Sequence, residues 1–310
     1  MESYLITSII AATLAAGTPL IIVALGELVT EKAGVLNLGA EGMMSVGAVT
    51  AFAVGFSGAS PLVSVLAGMV AGCAMSLIFG FLTLTMMANQ VASGLALAIF
   101  GVGLSAFMGR PFEAAPLPAI APIPVPVLAD IPFIGPAFFN QQSLVYFSWL
   151  LMAAVIWFLY RSRWGLVLRA VGESPSAAHS VGYRVILLRY MAVAFGGAMA
   201  GIGGAFLSVY YTPLWNEGMV AGRGWIALAL VVFATWRPLR VVVGAYLFGG
   251  VMILQLFVQG IGVNINVPAQ LLSSLPYMAT IVVLVLISRN VQTIRLNAPF
   301  SLGQPFRPDA

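Results

Sequence analysis

Apolar runs that approach or exceed about twenty residues, separated by short polar joints, leave this chain few ways to fold. A helix rises 1.5 Å per residue, so about twenty apolar residues match the roughly 30 Å hydrocarbon core of a bilayer. Strands of a membrane barrel would instead be stretches of about ten residues with alternating polarity. No water inside a bilayer can satisfy an open backbone, so runs of this length must be helices. Only 7% of the residues are charged, against about 25% in soluble domains. The fold class expected is an all-α polytopic membrane protein with about nine transmembrane helices, in the range 8–10.

The runs place spans at residues 4–25, 38–56, 62–87, 91–108, 144–160, 190–210, 225–236, 241–260 and 269–287. Asn37 stands where it can cap the second, with Glu41 in its first turn. The seventh is short and reads as a broken helix. Together the runs form one transmembrane domain, 1–288, followed by a polar tail, 289–310. Within it are a first half, 4–110, a proline-rich loop, 111–142, a linking helix, 144–160, a charged loop, 165–189, and a second half, 190–288. The loop contains PLPAIAPIPVPVL, which favours extended or polyproline backbone with a short surface helix nearby. The first run has no Lys or Arg before it and is read as a retained span rather than a signal peptide.

Orientation follows from the basic residues. A cytoplasmic 165–189 loop puts 11 of the 13 Lys and Arg on the same side, leaving only Arg110 and Arg223 outside. The N-terminus is then outside and the C-terminus cytoplasmic. At an offset of 177 residues Asn89 falls on Asn266, Pro61-Leu62 on Pro238-Leu239, and spans 1–4 on spans 6–9. A single linking span between two such halves inverts the second, an inverted repeat of the kind transporters use.

Catalytic chemistry is missing. There is no phosphate loop, and one His, one Cys and nine scattered acids assemble neither a triad nor a metal cluster. Cys73 lies in an apolar segment, where packing is its expected role. The +4 net charge follows the positive-inside rule rather than marking a nucleic-acid surface. Glu41 is the only acid inside an expected span. It is either a helix-start acid near Lys32 or a gating or substrate residue. Ion-coupled carriers place ionisable groups along the path, so this scarcity points to a permease driven by a separate ATPase. A self-sufficient secondary carrier or channel is the alternative, and a non-transporting scaffold a second one.

The charged loop reads GLVLRAVGESPSAAHSVGYRVILLR, with Arg161 and Arg163 just before it. Ser174 suits an N-cap, Pro175 the first helical position, and Gly182 the left-handed residue after the end. PSAAHSV then makes about two turns of helix. This loop, together with RYMAVAFGGAMAGIGGAF, resembles the coupling region of ABC-importer permeases of the branched-chain amino acid, ribose and nucleoside group. GELVTEKAGVLNLGAEGMMSVGA and AGRGWIALALVVFATWRPL resemble segments of its nucleoside and simple-sugar branch. The likeness covers roughly residues 15–290.

The resemblance implies a bacterial inner-membrane permease subunit that carries an uncharged polar solute, a nucleoside or a simple sugar. It implies an ABC ATPase holding ATP-Mg, an extracytoplasmic solute-binding lipoprotein and a second permease, with no cofactor on this chain. It also implies that Glu173, Ser174, Pro175 and Ala178 face the ATPase. His179 is a surface residue of the short helix or a direct ATPase contact. For the solute path the polar residues at or within spans are candidates: Asn89, Gln90, Ser93, Gln255, Gln259 and Gln270, with Ser273 and Ser274. Hydrogen bonding between helices is the simpler role for each. Met43 and Met44 line the path or merely pack. Trp215, Asn216, Glu217 and Arg223 are expected at the outer face, for a binding protein or an interfacial belt.

Overall fold

The computed structural model describes residues 2–260, 274–275, 278, 281, 285 and 297–307. The ninth expected span, and Gln270 and Ser273 with it, lies almost wholly outside the described residues, so a count of nine is not established. Among the described residues six helices are long and apolar enough to cross a membrane, and two more are apolar but shorter. The molecule is a polytopic, helical membrane protein.

Helix α1, Glu2–Lys32, runs seven residues beyond the expected end of the first span. From Leu20 to Leu28 its apolar side chains have no exposed surface, so it is the central post of the bundle. A connector leads to α2, Ala40–Phe56. The Asn37 side chain does not cap α2: its Oδ1 accepts from Gly39 N, and its amide turns back to α1. Helix α3, Pro61–Gly80, starts from an N-cap Ser60 with proline at its first position and continues as a π-helical turn over Phe81–Thr85. Helix α4, Gln90–Gly109, starts from an N-cap Asn89.

The proline-rich loop then folds over one end. Its strand β1, Ile123–Pro124, pairs antiparallel with β2, Asn140–Gln141, around the short helix α5, Ile134–Phe138. Ala114 N and Leu117 N donate to the carbonyls of Trp215 and Pro213, so the loop is stitched to the second half. Helix α6, Ser143–Arg161, covers the residues expected as the linking span. After α7, Arg163–Glu173, and α8, Pro175–Ser180, the chain re-enters the bundle as α9, Val185–Ala205, which ends in a π-helical stretch, Phe206–Tyr211. Helix α10, Arg223–Phe233, and α11, Pro238–Gly260, complete the described bundle.

The 177-residue offset also aligns element ends. It lays Phe56, the end of α2, on Phe233, the end of α10, and Pro61, the start of α3, on Pro238, the start of α11. With 11 residues, α10 is about 16 Å long, half the hydrocarbon thickness.

Helices α2, α3 and α9 meet through glycine. A Cβ on Gly47 would lie 2.5 Å from Gly201 Cα, and one on Gly72 2.7 Å from the same atom. A Cβ on Gly201 itself would overlap the Gly68 carbonyl oxygen. Lipid offers no hydrophobic drive between spans, so close backbone approach supplies the packing energy. Thr18 and Thr83 donate within their own helices, to Leu14 O and Phe79 O, which pairs those two hydroxyls in an apolar setting.

Candidate functional site

The charged loop holds two helices. The expectation placed only one there, but the segment RWGLVLRAVGE forms α7, capped by Ser162, whose Oγ accepts from Gly165 N. Its apolar positions Val167, Leu168 and Val171 are buried, while Trp164 and Leu166 stay exposed. Helix α8 carries the expected signals. Ser174 Oγ accepts from Ala177 N at 3.4 Å, Pro175 is at N1, and Gly182 has φ +95°. Glu173, Ser174, Ser176, Ala177 and His179 are exposed, and Pro175 is half-buried.

Ala178 departs from the reading that set it toward an ATPase. It is buried against Val167, Val171, Val185 and Leu188 and is the foot by which α8 stands on α7 and α9. Phase decides this, since in a two-turn helix only one position faces inward, and Ala177 is the small residue left outside. The His179 ring has a partner within the chain, Phe306, at 5.7 Å between centroids.

Glu27 and Glu31 correct the expectation that Glu41 is the only acid inside a span. Both are in α1 and are fully buried. Glu27 Oε1 accepts from Asn37 Nδ2 at 2.9 Å, and Glu31 Oε2 accepts from Trp236 Nε1 at 2.6 Å. The acids thus tie α1 to the connector before α2 and to the turn after α10. Gln90 extends the network into α4, where its Oε1 accepts from Leu36 N at 2.8 Å. Glu27 Oε2 and Gln90 Nε2 are buried without a hydrogen-bond partner.

Glu41 does not act as an acid of its own helix start. Its Oε1 accepts from Gly222 N at 2.6 Å and its Oε2 from Gly224 N at 2.7 Å, so it caps α10 from across the molecule. A carboxylate suits that position, because it satisfies amides the helix leaves unpaired and meets the positive end of the helix dipole. Trp236, just beyond α10, sits beside Glu31 at the basic end of α1. The 11 residues of α10, about 16 Å, separate Trp236 from Gly222, so the Glu41 cap lies about half a hydrocarbon thickness away from the Glu31 end. Beside it is a cavity of about 110 Å3, lined by Glu41 and Ser45 of α2, Val102 and Ser105 of α4, and the 215–221 segment. Ser45 and Ser105 donate to backbone carbonyls within their own helices, leaving hydroxyl lone pairs available. Neither serine stood out in the sequence, because only the fold brings them to Glu41.

The other candidates are dispersed. Asn89 is exposed and its side chain accepts from Ala92 N, which makes it a helix cap. Ser93 and Gln255 are half-buried on α4 and α11. The Gln259 side chain, like Gln270 and Ser273, falls outside the described residues. Met43 and Met44 are fully buried, as in simple packing. Trp215 is not an outer docking residue, being 2% exposed and packed against Phe52. Arg223 Nη1 donates to Met219 O, while Asn216 and Glu217 are exposed.

Residues 9–288 match the branched-chain amino acid transport system / permease component family. The chain belongs to it. A putative glucose ABC transporter permease protein of Haloferax volcanii is 40% identical over 315 residues, spanning 95% of this chain and 96% of the relative. A nucleoside ABC transporter permease protein of Lactococcus lactis is 32% identical, over 90% of this chain and 91% of its own. A guanosine ABC transporter permease protein of Bacillus subtilis is also 32% identical, over 90% and 92%. The chain is therefore a multi-pass permease subunit of an ABC importer in the inner membrane, a transport subunit by family. Such a permease works with an ATPase subunit and a solute-binding protein.

Proposed function

We propose that this permease moves an uncharged, hydroxyl-bearing solute, a nucleoside or a simple sugar, inward across the membrane. Its named relatives divide between a putative glucose permease and two nucleoside permeases. The chemistry those solutes share is a neutral ring carrying hydroxyls. Serine hydroxyls and a carboxylate acceptor beside a cavity suit such a solute, and in this conformation the cavity of about 110 Å3 holds at most part of one. A solute-binding lipoprotein delivers the solute at the face formed by the proline-rich loop. A second, different permease completes the path, and lipid covers the remaining apolar surface.

The observation that carries the reading is the capped α8 helix, which stands off the basic end with Glu173, Ser174 and His179 exposed. ATP-Mg binds only the partner ATPase. When its two domains close, they drag α8 and switch the spans between outward- and inward-facing states. Nothing in this chain needs to make or break a bond.

Reconstitution tests this directly. Vesicles holding the permease pair, the ATPase and the binding protein should accumulate labelled nucleoside or sugar only with internal ATP on the ATPase side. Uptake by this chain alone, driven by an ion gradient or simply downhill, would favour the self-sufficient carrier instead.

A further inference from the structure

Residues 297–307 belong to the stretch expected as a polar tail. They are folded against the basic end of the bundle. Lys32 Nζ donates to Asn297 O at 2.7 Å. Ser301, 2% exposed, donates through both its N and its Oγ to Gly172 O, at 3.0 and 2.7 Å. Gly303 N donates to Gly34 O at 3.2 Å. Phe306 packs on the cluster of Ala178, Val167, Val171, Val185 and Leu188 and meets the His179 ring edge to face. Arg307 Nε lies 3.1 Å from Met87 Sδ, beyond the end of α3.

Arg189 is at the centre of this arrangement. It is among the largest fully buried side chains in the molecule. Its guanidinium makes three bonds to two chain segments: Nε donates to Ala33 O at 3.1 Å, Nη1 to Gln304 O at 3.1 Å and Nη2 to Ser301 Oγ at 3.0 Å. A buried cation is costly unless its donors are satisfied. Without the tail, two of these three bonds are gone. The Ala33 carbonyl lies just past the end of α1, where a cation also meets the negative end of the helix dipole. Two glycines leave room for the arrangement: a Cβ on Gly172 would overlap Lys32 O, and one on Gly34 would overlap Ser301 Oγ.

We infer that residues 297–307 and Arg189 form a clasp that makes the coupling helix α8 and the end of α1 move as one body. Arg189 and Ser301 are positioning residues for transport, acting through α8 and α1. The inference rests on the importer reading above. Its logic is mechanical. Helix α8 has six residues and one inward side chain, Ala178, so a pull on it could be absorbed by bending at the α7–α8 joint. The clasp braces that joint on two sides: Phe306 under α8, and Ser301 with Arg189 between the end of α7 and the end of α1. From there the bonds continue inward, since Glu31 of α1 holds Trp236, and Trp236 follows α10, whose far end Glu41 caps. A path through bonded groups becomes a coupling route only if breaking it alters coupling.

The test uses the complete importer in vesicles, with Ser301→Ala and Phe306→Ala combined in this chain. Three quantities are read: co-purification with the ATPase, ATP hydrolysis, and solute taken up per ATP hydrolysed. The expected result is normal co-purification and hydrolysis within about twofold of wild type, with uptake per ATP lowered roughly fivefold or more. A smaller loss overturns the clasp. So does failure of the variant to insert or co-purify, which would make the tail a folding element only. Wild type with and without ATP, run in parallel, reports separately on the importer reading. If its uptake needs no ATP, that reading fails whatever the variant does.

Discussion

Replacing Glu41 with Gln removes one charge and one acceptor oxygen from the join between the two halves of the protein. Both carboxylate oxygens are in use, at 2.6 and 2.7 Å from Gly222 N and Gly224 N. A glutamine keeps one oxygen and turns an NH2 toward the other amide, donor against donor. A charge-assisted hydrogen bond in a buried setting contributes about 1.5–3 kcal/mol, and a charge at a helix end about 0.3–1 kcal/mol. The substitution should therefore weaken the α10 cap by roughly 2–4 kcal/mol. Since each 1.4 kcal/mol is tenfold, opening of this cap becomes about 30-fold more frequent at the low end of that range. Hydrogen exchange reads that opening directly, as lost protection at the Gly222 and Gly224 amides. Glu41→Asp, one methylene short of spanning both amides, should fall between Gln and wild type. Unchanged exchange at both glycines in the Gln variant would refute the cap, and with it the placement of Glu41 at the join.

Gly201→Ala drives a methyl group into the Gly68 carbonyl; it should lower the unfolding temperature of the purified chain, by a cost of about 1–3 kcal/mol for overpacking. Trp236→Phe keeps an aromatic ring but removes the indole N–H that Glu31 accepts; the buried carboxyl group left without that donor should cost about 1–3 kcal/mol in the same melting assay. The double change Glu173→Ala and Ser174→Ala removes the α8 cap, worth about 0.5–2 kcal/mol; it should abolish ATP-driven uptake while the protein still inserts, and full uptake would sink the coupling assignment.

The described spans and the short helix α8 were legible because their causes are local. Apolar length fixes a membrane helix, and Ser174, Pro175 and Gly182 mark their own helix within a few residues. The buried acids were hidden for the opposite reason. GELVTEK reads as a polar joint until Asn37 and, 205 residues away, Trp236 supply its partners. Glu41 was noticed, but its role depends on backbone amides 181 and 183 residues on, which no local pattern reveals. Ala178 was set on the wrong face because six residues of helix carry no phase without the surface they rest on. The tail sequence PFSLGQPF reads as a solvated end, since the bonds that order it run to the backbone at Gly172 and Gly34. Side chains that act as caps, such as Asn89, look the same in sequence as side chains that meet a solute.

The glycine meeting of α2, α3 and α9 has a mechanical consequence. Where backbones touch without side chains between them, there is no layer of rotamers to repack, so sliding one helix past another means either a clash or an open gap. In the proposed transport cycle these three helices would act as a fulcrum that keeps its shape. On that proposal the travel would fall to parts outside it: the half-length α10, the 215–221 segment beside it, and the end of the bundle that carries α8.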